Sequence, residues 1–243
     1  MPPRITAPIS IGGGVRLWLR RPGGLWEPVA EADNTATNYA LYALAQWYTG
    51  VSNVPGNPAT VLPPTYIALG TGSTSGGPQA SDIAMYAEAY GTRQQISYTA
   101  IYGGAEAQLT ASYTTTEAVG TWVEGGLWDR APASVLTSAS VAAGATTLPL
   151  ASGAPAMQGG SNAGSYNTAY IDDGANSEYI AIAVTAYAGA TSWALQAGLR
   201  YAHASGVTVV AFVGNLWAHS AIAVTKDDLS QLGVQWAVPF SIA

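Results

Sequence analysis

Polar and apolar residues alternate along much of this chain, the pattern of strands that bury one face. Val15, Leu17 and Leu19 alternate with Arg16, Trp18 and Arg20, which predicts a strand with one apolar side. Pro22-Gly23-Gly24 predicts a turn, and Trp26 and Val29 a second short strand. The period then changes. Asp33-Asn34-Thr35-Ala36-Thr37-Asn38 is rich in residues that cap helices. After it Tyr39, Tyr42, Ala43, Gln46 and Trp47 recur at three and four, with Leu41, Leu44, Ala45 and Tyr48 between them. This spacing predicts one good helix over 38–48, stopped by Gly50 and buried on more than one side, because apolar residues nearly encircle it.

Beyond a Pro- and Asn-rich loop, Thr65 to Leu69 predicts an apolar strand that runs into the glycine-rich Gly70 to Gly77, expected to be a flexible or intersubunit loop. A short helix is expected after Ser81-Asp82. Strands rich in Thr, Tyr and Val are expected near Gln95 to Tyr102, Ala107 to Thr115 and Thr121 to Glu124. From Ala131 to Ala211 the composition shifts, and Asp172, Asp173, Glu178 and Arg200 are the only Asp, Glu, Lys or Arg. Short strands are expected at Val135 to Val141, Thr146 to Leu150, Ala169 to Ile171, Tyr179 to Val184, Ser192 to Leu195 and Val207 to Phe212, with glycines at the turns. Trp217 to Val224 and Val234 to Ile242 return to the first block. The expected fold is therefore mainly β: an antiparallel β-sandwich-like core with one helix, residues 1–130 plus 212–243, interrupted by a small inserted β-barrel or β-sandwich, residues 131–211.

Composition sharpens this picture. Charged residues make up 9% of the 243, where a soluble domain usually carries about 25%. A charge-poor surface promotes association, so the chain is expected to cover part of its surface with other subunits. The net charge of −6 and the scatter of the eight basic residues argue against nucleic acid as a partner. No cysteine is present, so neither disulfides nor thiolate chemistry arise. No apolar stretch is long enough for a membrane span, and no secretory leader is expected at Met1-Pro2-Pro3-Arg4-Ile5.

Candidate chemistry is sparse. Gly70 to Gly77 lacks the Gly-Lys-Ser/Thr ending of a phosphate loop. Asp172-Asp173-Gly174-Ala175-Asn176 with Glu178 offers oxygens to Ca²⁺, but without the twelve-residue ligand spacing, and is expected to be a capped turn. His203 and His219, the only histidines, have no metal-ligand spacing and are expected to be a turn and a strand residue. Glu106, Glu117 and Glu124 could pair for glycoside hydrolysis but are expected to be ion-pair or turn residues. No cofactor, metal or catalytic group is expected. The aromatics, 14 Tyr and 8 Trp against 2 Phe, suit interfaces or sugar stacking. The interface candidates are Tyr39, Tyr42, Trp47, Trp193, Trp236 and Phe240, with Trp193 the freest to face a ligand.

Five segments in order give a resemblance. Asn34-Thr35-Ala36-Thr37-Asn38 before an apolar helix, Ile67-Ala68-Leu69-Gly70-Thr71-Gly72, the spaced Asp82, Glu88 and Arg93, Glu124-Gly125-Gly126-Leu127-Trp128-Asp129, and Lys226 followed by Leu232 to Phe240 together resemble the tail, baseplate and fibre-attachment proteins of tailed bacteriophages. The cassette is similar to small β domains of viral structural proteins, with Ala-Gly-Ala-Thr-Thr-Leu at 143–148 and Leu199 to Gly206 at its close. The resemblance implies a non-enzymatic virion component, assembled in the host cytoplasm, with other virion proteins and copies of itself as partners. Capsid decoration, a head-associated role, or a receptor-binding module for a host-surface glycan are the alternatives; a hydrolase comes last.

Overall fold

The computed structural model describes residues 9–11, 13–49, 62–101 and 106–242. The first block contains β1 (Ile9–Ile11), β2 (Gly14–Arg20), β3 (Trp26–Ala36), α1 (Asn38–Thr49), β4 (Tyr66–Gly70), β5 (Gln94–Gln95), β6 (Ser97–Ile101), β7 (Glu106–Tyr113) and β8 (Gly120–Trp128). The inserted stretch contains β9 (Ala133–Leu136), β10 (Thr147–Pro149), β11 (Thr168–Asp172), β12 (Glu178–Ala181), β13 (Ser192–Ala194) and β14 (Thr208–Ala211). β15 (Leu216–Lys226) and β16 (Gln231–Ile242) follow. The protein is mainly β and its strand pairings are antiparallel, with a single α-helix among the described residues.

The first block forms a ten-stranded sheet in the order β5-β4-β8-β15-β3-β2-β16-β7-β6, with β1 attached to β16. β5 and β6, at opposite ends of that order, are separated in sequence by Ile96 alone. One bent segment thus serves both ends, and the sheet curls into a nearly closed barrel. The alternation explains its interior. Val15, Leu17 and Leu19 of β2 face inward with Leu109, Ala111 and Tyr113 of β7 and Leu232, Val234 and Trp236 of β16. Fully burying a side chain of Leu size contributes about 1.5–3 kcal/mol, so this one face supplies much of the stability. α1 docks on the barrel through Ala40 and Ala43. Thr37, just before the helix, donates its hydroxyl to the carbonyl of Leu216 in β15. The helix is not buried all round, since Leu41 is 45% exposed.

The inserted strands build a separate four-stranded sheet, β12-β11-β14-β9, and a two-stranded ribbon, β10-β13. Their apolar side chains form a cluster of their own, from Val135 to Ala211. This unit is an internal duplication. Gly144-Ala145-Thr146-Thr147-Leu148 in one half corresponds to Gly189-Ala190-Thr191-Ser192-Trp193 in the other. The two halves exchange equivalent bonds: Leu195 N–H donates to the Thr146 carbonyl at 2.9 Å and Leu150 N–H to that of Thr191 at 2.8 Å. Gly144 N–H reaches the Leu199 carbonyl and Gly189 N–H that of Ala154, both at 2.7 Å. Val141 bridges His203 as Ala186 bridges Met157. The pseudo-two-fold places β9 and β12 at the outer edges of the sheet and β11 and β14 at its centre.

The cassette rests on the loop between β4 and β5. Ile83 and Ala84 donate N–H groups to the Gly164 carbonyl at 2.8 and 3.2 Å. Tyr90 stacks on Tyr170 with ring centroids 4.5 Å apart and donates its N–H to the Tyr179 phenol oxygen at 2.9 Å. That loop holds no helix after Ser81-Asp82, where one was expected; turns and bridges tie it to both units instead. β3 is also longer than expected. It takes in Asp33 to Ala36, because the outer half of β3 pairs with β2 and its last residues with β15.

Candidate functional site

Two histidines mark the centres of the polar interior. His219 lies on β15, wholly buried. Its Nδ1 is 2.8 Å from Asp82 Oδ2 and its Nε2 2.8 Å from Glu124 Oε2. Carboxylates only accept, so two such contacts require both ring nitrogens to donate, the state of an imidazolium. Burial pulls the His219 pKa down, but the hydrogen bonds and charges of Asp82 and Glu124 outweigh it and raise it above 6.5. Tyr86 packs against the ring at a centroid distance of 4.6 Å.

Glu124 does more than hold the histidine. Its Oε1 accepts the N–H groups of Gly72 at 3.0 Å and Ala87 at 2.7 Å, and its Oε2 that of Tyr86 at 2.9 Å. Asp82 Oδ2 also accepts from Gln79 N–H at 2.9 Å. The start of the glycine-rich segment is therefore fastened to β8. The segment expected to be a flexible or intersubunit loop is thus pinned at Gly72. The glycines serve close approach: a Cβ on Gly70 would sit 2.5 Å from both the Ala87 carbonyl and Glu124 Oε1.

The cassette repeats the device. His203 Nδ1 is 2.9 Å from Asp173 and its Nε2 2.9 Å from Glu178. Glu178 also accepts the N–H groups of Arg200 at 2.8 Å and Tyr201 at 3.0 Å. In both clamps the carboxylates lie on diverging ring nitrogens, so the three groups do not converge on one point. No group of three or more His, Asp or Glu among the described residues is arranged to hold a metal ion. Asp173 and Glu178, weighed as calcium ligands, are committed to His203.

A third polar centre lies at the junction of the two units. Arg93 and Glu88 form a buried ion pair, with Nε–Oε1 at 2.6 Å and Nη2–Oε2 at 2.9 Å. The guanidinium lies 3.9 Å from the Trp128 ring centroid. Its Nη1 donates to the carbonyls of Arg130 at 2.8 Å and Val213 at 2.5 Å. One side chain thereby holds both strands of chain that lead into and out of the cassette.

Between α1, the β4–β5 loop and the cassette lies a cleft of about 760 Å³. α1 contributes Asn38, Tyr39 and Tyr42, the loop Ser81 to Ile83, and the cassette Met157, Asn167 and Tyr187 among others. Tyr39 lies 3.4 Å from Asp129 through its hydroxyl. Burial, with the Asp129 charge beside it, pushes its pKa up to about 12, so it remains a neutral phenol.

The expected interface residues fall in different places. Tyr39 and Tyr42 line the cleft. Trp193 and Trp236 are wholly buried within the chain and offer nothing to a neighbour. Trp193, expected to be the freest aromatic, faces inward because it takes the core position that Leu148 fills in the other half of the duplication. The side chains of Trp47 and Phe240 lie outside the described residues, as does that of Glu106. Glu117 sits on a turn and accepts from Thr114 N–H at 2.8 Å, whereas Glu124 accepts from His219 and the β4–β5 loop. No single-sequence pattern could have joined Asp82, Glu124 and His219. No family model matches the chain, and neither a curated protein nor a solved structure is detectably similar to it.

Proposed function

We propose that this chain is a non-enzymatic structural subunit of a tailed-bacteriophage particle, at the tail, baseplate or fibre-attachment region, and that it packs against further copies or other virion proteins through the β2–β3 hairpin. The observation supporting this reading is the open edge of β3. Of β3, only Asn34, Thr35 and Ala36 pair with β15, so Trp26 to Asp33 have β2 on one side and no ladder on the other among the described residues. A free edge of that length is a template for pairing with another chain unless charge, proline or a bulge blunts it. Here the hairpin tip exposes Leu25 at 86%, with Trp26 and Val29 at 40% each. Four of its charges pair within the hairpin, Arg16 with Glu31 and Arg21 with Glu27, both at 3.0 Å, and Arg20 lies over the Trp26 ring. Pro28 and a bulge opposite Leu17/Trp18 limit a long sheet extension and favour a short, specific contact.

The five ordered segments and the low charge support the same reading. So does the use of both histidines and their carboxylates in closed structural clamps, which leaves neither ring free to act as a base. The test is immunogold electron microscopy of purified particles together with native mass spectrometry of the isolated protein. Label at one end of the virion, and oligomers lost on Val29→Lys with Trp26→Ser, are the expected results. A protein absent from particles rejects the reading.

A further inference from the structure

We propose that the cleft between α1 and the cassette binds a neutral carbohydrate. This does not depend on the particle role. The cleft measures about 760 Å³, within the range of small-molecule sites, about 300–1,000 Å³. Three tyrosines line it, Tyr39, Tyr42 and Tyr187, together with amides such as Asn38 and Asn215. Aromatic rings stack on the C–H faces of a sugar, and amides and hydroxyls bond its OH groups.

Charge selects among ligands. Among the described residues that line the cleft none is Lys or Arg, and Asp82 is the one acid. The Asp82 carboxylate is already compensated by His219 at 2.8 Å. Phosphorylated, sulfated or nucleic-acid ligands would therefore meet no cation within this lining, whereas a neutral polyol needs none.

The duplication supplies the second observation. Tyr187 occupies a turn whose counterpart in the other half, before Gly144, is Ala142. Tyr187 is 83% exposed, and nothing in the cassette core requires it. An exposed aromatic thus appears at only one of two equivalent turns, the one that faces the cleft.

The test is saturation-transfer NMR of the whole protein with glucose, galactose and N-acetylglucosamine, and with disaccharides of each, at millimolar concentration. At least one is expected to receive saturation. Tyr187→Ala should weaken its binding about tenfold, the size of one lost aromatic contact. Val119→Ala, exposed but outside the cleft, should not. Circular dichroism would confirm that both variants are folded. Absence of transfer to every sugar, or transfer that Tyr187→Ala leaves unchanged, overturns the proposal. Oligomers that persist in Tyr187→Ala separate this site from the packing surface.

Discussion

Glu124 on β8 and His219 on β15 meet at 2.8 Å in a site closed to solvent, and the same carboxylate holds three backbone N–H groups of the β4–β5 loop. Glu124 is thus an acceptor on every side. Glutamine keeps its shape but turns one oxygen into a donor that faces other donors. Glu124→Gln is expected to lower the unfolding free energy by about 2–4 kcal/mol, since buried donors lose charged acceptors. Urea unfolding monitored by tryptophan fluorescence checks this; a cost below 1 kcal/mol, on the order of one ordinary hydrogen bond, would mean that the loop is held by other contacts.

The clamp also sets a pH dependence. The folded-state pKa of His219 lies above its ordinary 6.5, so between the two values the native state binds more protons than the unfolded chain. The stabilisation is complete below about 6.5 and is lost as pH rises through the folded value. Asp82 and Glu124 face the ring from the loop and from β8, and Tyr86 covers it. Urea midpoints should fall on the alkaline side of 6.5, and His219→Gln should lack that slope. Identical profiles for the two proteins would show that the histidine is not held protonated.

Arg93 is a buried cation paired with a buried carboxylate. Arg93→Met would leave Glu88 buried without its partner, and breaking a buried pair in this way costs about 3–5 kcal/mol. It would also free the carbonyls of Arg130 and Val213. Faster limited proteolysis at both cassette junctions should accompany the loss. The double variant Arg93→Met, Glu88→Leu should recover much of the stability, because no uncompensated charge remains. If it recovers none, the carbonyl bonds carry the effect.

The legible parts of this fold were those written in local period. Six short strands of the cassette and the helix after Thr37 follow from alternation, glycine turns and capping. β2 follows from Val15, Leu17 and Leu19 alone. The clamps were not legible, because Asp82, Glu124 and His219 come from three distant segments. A buried, charge-compensated histidine leaves no spacing rule. The duplication did leave a signal, the recurrence of Gly-Ala-Thr at 144 and 189, and with it the inward placement of Trp193 could have been inferred from Leu148. The closure of the barrel depends on Ile96 joining two edge segments, a relation that strand propensity does not contain.

Two glycines with the same backbone angle separate strain from contact. Gly164 and Gly189 both have φ of +82°. A Cβ on Gly189 meets nothing within 4 Å, whereas one on Gly164 would lie 2.4 Å from Asp82 Oδ1. Gly189→Ala is expected to cost about 1–2 kcal/mol from backbone strain alone, or several degrees in melting temperature for a chain of this size. Gly164→Ala should cost more, because Asp82 is held by His219 and Gln79 and cannot move aside. It should also loosen the cassette from the loop, seen as new cleavage near residues 82–90 in limited proteolysis. Equal losses in the two variants would show that the contact at Gly164 is slack.

Removal of the cassette tests how far the two apolar clusters are independent. The points where the chain leaves and re-enters the barrel are adjacent: Trp128 is in register with Leu216, and Asp129 accepts from the Asn215 backbone and side chain at 2.7 Å each. A short Gly/Ser turn in place of residues 131–211 can therefore join β8 to β15 without stretching either strand. What the shortened chain loses is the cover over the β4–β5 loop: the Tyr90–Tyr170 stack, the Tyr179 hydroxyl and the Gly164 carbonyl. The loop keeps Glu124, Arg93 and Thr92, whose hydroxyl donates to the Leu69 carbonyl at 2.8 Å. The shortened protein is expected to unfold in one cooperative transition at a lower temperature than the whole chain, and to keep a near-ultraviolet signal from buried Trp128 and Trp236 after the loss of that from Trp193. A broad, non-cooperative transition would mean that the barrel borrows its order from the cassette, and that the two clusters form one folding unit.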